Sequence, residues 1–539
     1  MNIKLIFPPT VEYIYSFNTI FYNIPPYGLG ILTAFLRGHG HSVEQEDLIL
    51  KVNFCNKDNH YLIGKKRTEF NIIKLKNEEL FLSLYGGKIK DRETISFIDK
   101  ILDSTTIHGS DLVGFSILAF DQFPIALLLS KRIKERINIP IVFGGSFITR
   151  YGHLYPEVFN FVDYMIVDDG RVTLVKLIDY LQGKITISKI PNLIYKDNGK
   201  LITNPRVYYP LEDIPIPDFD GLPIELYKSS DSSDSILLPY QISSSCSNKC
   251  TFCTFYISDK LGFKSYDKII TELRRMKERY KSRNFYFCDN SINNSREYLE
   301  GLCDIFIKSK LDINWTVYAK VGNLDKNILN KMKRAGCQRL KFGVESGSDV
   351  MLKKMHKDFT VEQAAETLKY SHEAGIRNLI FLLPGYPYET NQDIKKTVQF
   401  IERNKEYIDQ LLIYKFQLQS QSLLHAKPND FGITNIIPKP CRWLLSYDES
   451  SGLKWNEKFK QGEYSERQLI RAAFMSGITF RKNKNFFIAL IMYYLYILIL
   501  RKNRLRLLLI RSTILNKCFV YLIPQSLKNA LAYFVGFID

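Results

Sequence analysis

The stretch LPYQISSSCSNKCTFC, residues 238–253, carries a partly apolar segment that leads directly into three cysteines. Its first half, residues 238–245, predicts a buried strand. Five further apolar segments follow, separated by helical patterns. The predicted strands are 284–289, 313–318, 339–345, 377–384 and 410–418, and the predicted helices are 265–281, 294–308, 325–335, 360–374 and 390–403. This alternation predicts a parallel sheet, and six strands are enough for an open or partly closed α/β barrel over residues 237–420.

A similar alternating series precedes this barrel. Apolar runs predict strands at 2–7, 111–117, 139–145 and 162–167. Helical patterns between and after them predict helices at 26–40, 123–137 and 171–181. We therefore expect a doubly wound (Rossmann-like) parallel sheet over residues 1–205, with helices on both faces. The polar stretch at about 47–110 interrupts the series and predicts an insertion. Asp197, Asn198 and Gly199 predict a hairpin turn, and the proline-rich residues 206–236 predict a linker.

The three cysteines, Cys246, Cys250 and Cys253, are the strongest chemical signal in the sequence. Thiolates are soft ligands that suit zinc or iron–sulfur clusters. A structural zinc site needs a fourth nearby ligand, but the next cysteine is Cys288 and the nearest histidines are His153 and His356. Three ligands leave one metal position open for a second molecule. The alternative is a loop of unrelated free thiols.

The spacing Cys-x3-Cys-x2-Cys, with the aromatic Phe252 before the last cysteine, resembles the signature of the radical S-adenosylmethionine enzymes. The resemblance implies that Cys246, Cys250 and Cys253 hold a 4Fe-4S cluster whose open iron binds S-adenosylmethionine. It also implies that one-electron reduction, by a donor such as flavodoxin or ferredoxin, cleaves the sulfonium to a 5′-deoxyadenosyl radical.

Two further segments resemble cofactor-binding strands of that family. KFGVESGSDVMLKKMHK (341–357) resembles its fourth-strand motif, with Glu345 and Ser346 as expected cofactor contacts. LLPGYPYET (382–390) resembles its fifth-strand turn, with Pro384, Gly385 and, less firmly, Glu389. Polar side chains and glycine at the carboxyl ends of barrel strands are where a ligand can reach the backbone. Without the resemblance, Glu-Ser-Gly is typical of a helix N-cap.

Asp289 follows the strand at 284–289 and has two interpretations. Its side chain either faces the mouth of the barrel or caps the helix predicted at 294–308. The sequence does not distinguish them.

The first domain resembles the cobalamin-binding domain that precedes the barrel in one subgroup of these enzymes. Ser116, Gly144 and Gly145 are expected at the carboxyl edge of its sheet, where open α/β sheets bind ligands. Residues 8–25 contain no histidine, and Asp58-Asn-His60 only imitates the Asp-x-His-x-x-Gly motif, so no histidine is expected on the lower face of cobalt.

A second departure is Asp168-Asp169-Gly170-Arg171, which stands where the subgroup often has Gly-Glu-Gly-Glu. His39 and His41 lie in a helix stop and are expected to be surface or capping residues rather than metal ligands.

The chain has 539 residues and a formal net charge of +18. Nine cysteines are too few for a disulfide scaffold, and the start MNIKLIFPPT resembles no secretory leader, so a cytoplasmic location is expected. Residues 481–539 hold ten basic residues and one acid, so this segment carries half of the net charge.

The last segment, 421–539, is predicted to be a basic helical region. Its apolar run, residues 486–500, is shorter than the roughly 17–25 residues of a membrane-spanning helix. The pattern fits a helix lying peripherally on an anionic membrane, or a cap over the barrel. Nucleic acid is not expected, because interleaved aromatic residues are missing from the basic stretches.

The favoured hypothesis is a cobalamin-dependent radical methyltransferase that acts on an unactivated carbon of a natural product, peptide or lipid. One alternative is a radical cyclase, oxidase or rearrangement enzyme without methyl transfer. A third, of another class, is a metal-stabilised scaffold protein docked to membranes. No catalytic residue beyond the cluster ligands is assigned.

Overall fold

The computed structural model describes residues 1–9, 24–54, 92–227, 236–254 and 261–478. Two parallel sheets follow one another along the chain, and a small antiparallel sheet with a long helix completes the described part. This architecture confirms the predicted order of a doubly wound domain followed by a partial barrel.

The first sheet has seven strands in the order β2-β1-β3-β4-β5-β6-β7. The first five are parallel, and the last two continue the sheet as antiparallel strands. The strands are β1 Asn2–Phe7, β2 Ser42–Asp47, β3 Leu112–Ser116, β4 Ile141–Gly144, β5 Tyr164–Ile166, β6 Leu193–Asp197 and β7 Lys200–Thr203. The strand order reverses between β1 and β3, which is the point at which such sheets bind ligands.

Helices cover both faces of this sheet and enclose a separate apolar core on each. The helices are α1 Tyr27–Gly38, α2 Leu48–Phe54, α3 Arg92–Asp103, α4 Phe123–Arg136, α5 Ser146–Tyr151 and α6 Gly170–Leu181. One core lies beneath α3, α4 and α5, and the other lies beneath α1 and α6. Burial on both faces explains why the central strands are continuous apolar runs.

Strand β2 was not predicted, because SVEQED is too polar to suggest a strand. In the structure its charges are paired: Lys4, only 1% exposed, bonds Glu44 and Glu46 at 2.7 and 2.9 Å. The predicted insertion at 47–110 also contains α2 and α3, while its centre lies outside the described residues. The predicted hairpin is present, with Asn198 and Gly199 at φ 46° and 81° in its turn.

The second sheet has six parallel strands in the order β15-β14-β13-β12-β11-β8. All six predicted barrel strands are present, namely β8 Leu237–Tyr240, β11 Asn284–Phe287, β12 Asn314–Ala319, β13 Cys337–Glu345, β14 Arg377–Leu382 and β15 Gln410–Ile413. A two-residue pair, β9 Ser243–Ser244 and β10 Gly262–Phe263, flanks the cysteine loop. One apolar core lies between these strands and their helices.

Five of the six barrel helices lie where the sequence predicts them, and the short helix Asp349–Lys354 was not predicted. The six are α7 Tyr266–Tyr280, α8 Arg296–Lys308, α9 Lys326–Arg334, α10 Asp349–Lys354, α11 Val361–Glu373 and α12 Asn391–Arg403. Side-chain caps fix several starts: Ser295 accepts from Tyr298 N, and Thr360 and Thr390 each begin a capping box. These caps explain why the helix starts were readable from the sequence.

The region after residue 420 is not wholly helical, contrary to the prediction of a helical region over 421–539. Strands β16 Leu418–Gln419, β17 Ile433–Pro438 and β18 Leu444–Glu449 form an antiparallel sheet in the order β16-β18-β17. Helices α13 Leu423–Ala426 and α14 Trp455–Met475 accompany it. Burial alternates strictly along LLSYDE, but its buried positions are Leu445, Tyr447 and Glu449, so the sequence itself shows only a weak alternation of polar and apolar residues. The basic tail, 479–539, lies outside the described residues.

The linker at 206–236 contacts both domains where it is described. Gln45 donates to Asp218 O at 2.8 Å, and Arg37 bonds the Asp218 carboxylate at 3.0 Å. Tyr227 OH donates to Asp47, 2.8 Å away. Polar side chains therefore hold the linker against the first sheet. Across the described part of the chain, no helix combines the length and the apolar character needed to span a membrane.

Candidate active site

The cysteine loop leaves the carboxyl end of β8, at one edge of the barrel sheet. Cys246, Cys250 and Cys253, which we call the cysteine triad, are all half-buried and none forms a disulfide. Cys253 N donates to Cys250 O at 3.1 Å, which closes the second half of the loop into a turn. The structure therefore brings the three predicted ligands onto one short loop, and none of them is in a disulfide.

Polar contacts from neighbouring strands hold the first half of this loop. Ser245 has a left-handed backbone, with φ 68°. The Asn294 amide accepts from Ser247 N at 3.1 Å and donates to Ser245 O at 3.2 Å. Lys320 donates to the Ser247 hydroxyl at 2.6 Å. These bonds fix a backbone that would otherwise favour other conformations.

A buried hydroxyl pair holds the second half. Thr251 Oγ1 and Tyr386 OH are 2.6 Å apart, and Tyr386 OH donates to Lys354 O at 3.0 Å. Phe252 packs on the apolar cluster that contains Tyr386 and Met355. The aromatic residue of the motif therefore anchors the loop to the far side of the barrel.

Strand β13 ends at Glu345, whose backbone is left-handed with φ 66°. Its carboxylate lies 3.1 Å from Lys357 Nζ, and both side chains are nearly buried. Burial raises the pKa of the Cys250 thiol, and Lys357 opposes that rise. Burial would lower the pKa of Lys357, but attraction to Glu345 and Cys250 outweighs it, so that the pKa is raised. The Glu345–Lys357 pair thus lies beside the cysteine triad.

Ser346 is placed differently from its neighbour. It is 2% exposed, and its hydroxyl lies 3.3 Å from Thr397 Oγ1 and accepts from Ser348 N at 3.2 Å. The Ser346 side chain therefore packs against α12, and a cofactor contact by Ser346 stays a prediction.

The turn after β14 is packed against the C-terminal helix. Gly385 has φ 84°, and a Cβ there would lie 3.0 Å from the Gly462 Cα. Gly385 N donates to Glu389 at 2.7 Å, and burial raises the pKa of Glu389 to about 7. Pro384 O accepts from Phe416 N at 2.8 Å. Glu389 therefore has a structural partner, and the backbone of the turn is fixed.

Asp289 does not cap α8, since Ser295 does. Its buried carboxylate accepts from Ile242 N at 3.2 Å and from the Ser243 hydroxyl at 2.6 Å. Burial raises the pKa of Asp289 to about 6, despite these hydrogen bonds. Asp289 thus ties the start of the cysteine loop to the end of β11.

The inner wall of the barrel contains residues that sequence reasoning missed. Lys341 Nζ lies 4.3 Å from the Tyr286 ring centroid and 5.1 Å from that of Tyr318. The Tyr318 ring stacks on Phe381 at 5.6 Å. Burial lowers the pKa of Lys341 to about 7. The signal was available, because period-two alternation in RLKF places Lys341 on the face opposite Leu340 and Phe342, which pack in the apolar core.

The predicted residues of the first domain lie at the carboxyl edge of its sheet. Ser116 ends β3, and its Oγ is 3.6 Å from where a Cβ on Gly28 would lie. Gly28 begins α1 just after the crossover from β1, so this pair marks the point where the strand order reverses. Gly144 ends β4, and Gly145, with φ 98°, passes directly over Ile117. The structure therefore brings Ser116 and the two glycines to one edge.

Asp168 lies at the same edge, in the loop after β5. Its backbone is left-handed, with φ 59°. Among the described residues neither carboxylate oxygen has a hydrogen-bond partner, although Arg206 Nη1 lies 3.5 Å away. Burial raises the pKa of Asp168. Asp169, by contrast, caps α6 and pairs with Arg171 at 2.6 Å.

Among the described residues of the first domain, the histidines form no metal-ligand set. His39 Nδ1 lies 2.8 Å from Phe35 O at the end of α1, as expected of a capping residue. His41 is half-exposed, and Asp58-Asn-His60 lies outside the described residues.

The two domains meet at the cysteine loop. Tyr151, in the helix that follows Gly145, has its hydroxyl within hydrogen-bond distance of Thr254 Oγ1, at 3.2 Å, and of Gln419 Oε1, at 2.8 Å. Thr254 directly follows Cys253, the last cysteine of the triad. The helix that leaves the carboxyl edge of the first sheet is therefore linked by a hydrogen bond to the residue next to the triad.

The cysteine triad offers three thiolates as ligands. Within the described residues, no three His, Cys, Asp or Glu side chains converge closely enough to hold one metal ion. In a cubane cluster each cysteine binds a different iron, so the three sulfurs remain farther apart than ligands of a single ion. Three soft thiolates on one loop therefore fit a cluster better than a zinc ion.

Residues 240–401 match the family model described as the Radical SAM superfamily. A curated relative, an uncharacterized methyltransferase of Pyrococcus horikoshii, is 25% identical over 343 residues, which cover 60% of this chain and 73% of the relative.

Two solved structures share the fold. The cobalamin-dependent S-adenosylmethionine radical enzyme OxsB, with aqua-cobalamin and S-adenosylmethionine bound, matches with a TM-score of 0.62 at 16% identity and covers 86% of this chain and 66% of its own. The radical S-adenosylmethionine methyltransferase TsrM from Kitasatospora setae, with cobalamin and a [4Fe-4S] cluster bound, matches with a TM-score of 0.61 at 14% identity and covers 87% and 88%.

Proposed function

Because residues 240–401 form a radical S-adenosylmethionine domain, we propose that the protein is a cobalamin-dependent methyltransferase acting on an unactivated carbon of a peptide, lipid or other natural product. The observation that carries this proposal is the contact between the two domains. Tyr151, just beyond the ligand-binding edge of the first sheet, bonds Thr254 beside the last cysteine. Cofactors bound at the edge of the first sheet and at the cysteine loop would lie close enough to act on the same substrate.

The cysteine triad would hold a 4Fe-4S cluster. When bound, such a cluster supplies the electron that converts S-adenosylmethionine into the 5′-deoxyadenosyl radical. The chain's own residues keep the loop rigid: Asn294, Thr251 and Tyr386 fix its backbone, and Phe252 covers it on one side. Three irons can be held at fixed positions only if the loop that binds them is rigid. The Glu345 carboxylate and the backbone of the turn at Gly385 would orient S-adenosylmethionine.

The crevice at the reversal of strand order would hold cobalamin. When bound, cobalamin supplies the methyl group for transfer. Gly28 and Ser116 form a cradle that any side chain at position 28 would narrow. Asp168 is a buried acceptor without a hydrogen-bond partner in the described part of the chain, so it suits a ligand whose rim carries amide donors. Residues 8–25 contain no histidine, so we propose that none from this segment binds cobalt.

The cluster is tested with a matched pair of cysteine variants. The full chain is reconstituted anaerobically with iron and sulfide, reduced with dithionite or a flavodoxin system, and assayed for 5′-deoxyadenosine. Cys250→Ala should lose cluster absorption and cleavage of S-adenosylmethionine. Cys303→Ala, which removes a thiol buried in the apolar core beneath α8, should keep both. Equal cleavage by parent and Cys250→Ala protein, or zinc in place of iron, would refute this part.

Methyl transfer is tested separately from radical formation. The parent should retain hydroxocobalamin through gel filtration, and label from methyl-labelled S-adenosylmethionine should appear in the substrate. Cleavage without retained cobalamin or transferred label would instead favour a radical cyclase, oxidase or rearrangement enzyme.

We also propose peripheral contact with anionic membranes through the C-terminal region. The support is the sequence alone: ten basic residues bracket an uncharged apolar run in 481–539. Flotation with liposomes should require anionic lipid and the tail. Binding that ignores lipid charge, or that survives removal of the tail, would refute the proposal.

A further inference from the structure

Lys357 and Glu345 form an ion pair that is nearly shielded from solvent. Lys357 Nζ lies 3.1 Å from Glu345 Oε1 and 3.1 Å from Gly343 O. The two side chains are only 8% and 11% exposed. Charges in such surroundings are weakly screened, so each acts strongly on nearby groups.

The segment that carries Lys357 runs alongside the cysteine loop. Three contacts join them, namely Thr251 N to Met355 O at 3.2 Å, Asn248 Nδ2 to Asp358 Oδ1 at 3.2 Å, and Lys357 Nζ to the Phe252 ring centroid at 5.5 Å. Phe252 lies between the second and third cysteines of the triad. The pair therefore borders the loop along the length that carries Cys250 and Cys253.

We propose that the Glu345–Lys357 pair sets the reduction potential of the cluster on the triad, an inference that rests on the proposed function. One electron enters the cluster and no bond is broken, so nearby fixed charge acts directly on the energy of that step. The Lys357 ammonium stabilises the added negative charge, and the Glu345 carboxylate opposes it. Together they leave the local charge balanced.

The signs of the expected shifts follow from this balance. Lys357→Met keeps the length of the side chain but leaves the carboxylate alone, so the midpoint potential becomes more negative. Glu345→Gln leaves the ammonium alone, so the potential becomes more positive. The double variant restores local neutrality and returns close to the parent. Damage to the loop would not produce opposite shifts that cancel.

The test is an EPR-monitored redox titration of the reconstituted full chain. It is run without S-adenosylmethionine at pH 8.5, where a carboxylate that has lost its ammonium partner stays ionised. Lys353→Met is the matched control, because Lys353 is exposed on α10 only four residues from Lys357. Lys357→Arg tests rescue by a second cation. Iron and sulfide content are measured for every variant.

We expect the midpoint potential to shift in opposite directions in the two single variants and to return partly or fully to the parent value in the double variant. Lys357→Arg should restore the parent potential, and the control should show no shift. Shifts of the same sign, unchanged potentials, or a double variant farther from the parent than either single variant would overturn it. A parent protein that forms no cluster would refute the proposed function instead, so the two failures are distinguishable.

Discussion

Gly145 and Gly144 are adjacent glycines for which the structure predicts very different effects of substitution by alanine. Gly145 has φ 98°, and a Cβ there would lie 2.4 Å from Ile117 O. A Cβ on Gly144 would lie 3.8 Å from its nearest neighbour, Ile166 O, which is an ordinary van der Waals contact. The two variants therefore separate backbone strain from the general effect of adding a methyl group.

The cost of Gly145→Ala has two parts. Gly145 has φ 98° and ψ 173°, a region that is almost exclusive to glycine and costs another residue roughly 1–3 kcal/mol. The clash is with backbone rather than with a flexible side chain, so Ile117 must shift, which adds roughly 1–3 kcal/mol. The shift would also disturb the bonds that Ile117 makes with Gly144 O and Phe147 N, at 2.8 and 3.1 Å. The total is about 3 kcal/mol, or roughly 6–12 °C in Tm for a domain of this size.

The assay is thermal unfolding followed by hydrogen exchange of the first domain. Gly145→Ala should lower Tm by that amount and accelerate exchange at β3 and β4, while Gly144→Ala should stay within about 0.5 kcal/mol of the parent. Equal effects of the two substitutions, or a stable Gly145→Ala protein, would show that the strained crossing over Ile117 does not constrain this edge.

Two further changes test buried polar groups. Tyr386→Phe removes the hydroxyl that bonds Thr251 at 2.6 Å, so it should cost about 1–2 kcal/mol and lower the yield of reconstituted cluster, as measured by iron content; unchanged stability and iron would contradict this role. Asp47, held by Tyr227 OH and Ile49 N, has its pKa raised by burial from 3.8 to about 6. The folded state therefore keeps the proton longer than the unfolded state, and stability falls between pH 4 and pH 6–7. Asp47→Asn should remove up to about 3 kcal/mol of that dependence in urea titrations, and parallel pH profiles would refute it.

The sequence predicted the barrel because local and long-range signals agree there. Each strand is a short apolar run, and caps such as Ser295 and Thr360 mark the helix starts. The cysteine spacing placed the loop at the end of the first strand. By contrast, β2 is polar and becomes a strand only because Lys4 pairs its charges, a contact that the local sequence does not contain.

Side-chain direction limited the prediction of the site. Glu345 and Ser346 are adjacent, yet the first pairs with Lys357 and the second packs against Thr397. The two side chains point in different directions, so the motif alone does not give the contacts of each. Lys341 was missed for the opposite reason, since a lysine within an apolar run looks like an exception rather than part of an inner wall.

The hydrogen bonds of Thr254 have a consequence for how the protein matures. Thr254 is bound by Tyr151 of the first domain and lies next to the last cysteine. If the cysteine loop becomes ordered when it binds the cluster, the surface that contacts the first domain becomes ordered as well. Cluster binding and docking of the first domain are therefore thermodynamically coupled. Protein produced without iron should then be the looser form, and protease resistance at the junction between the domains should report on loading.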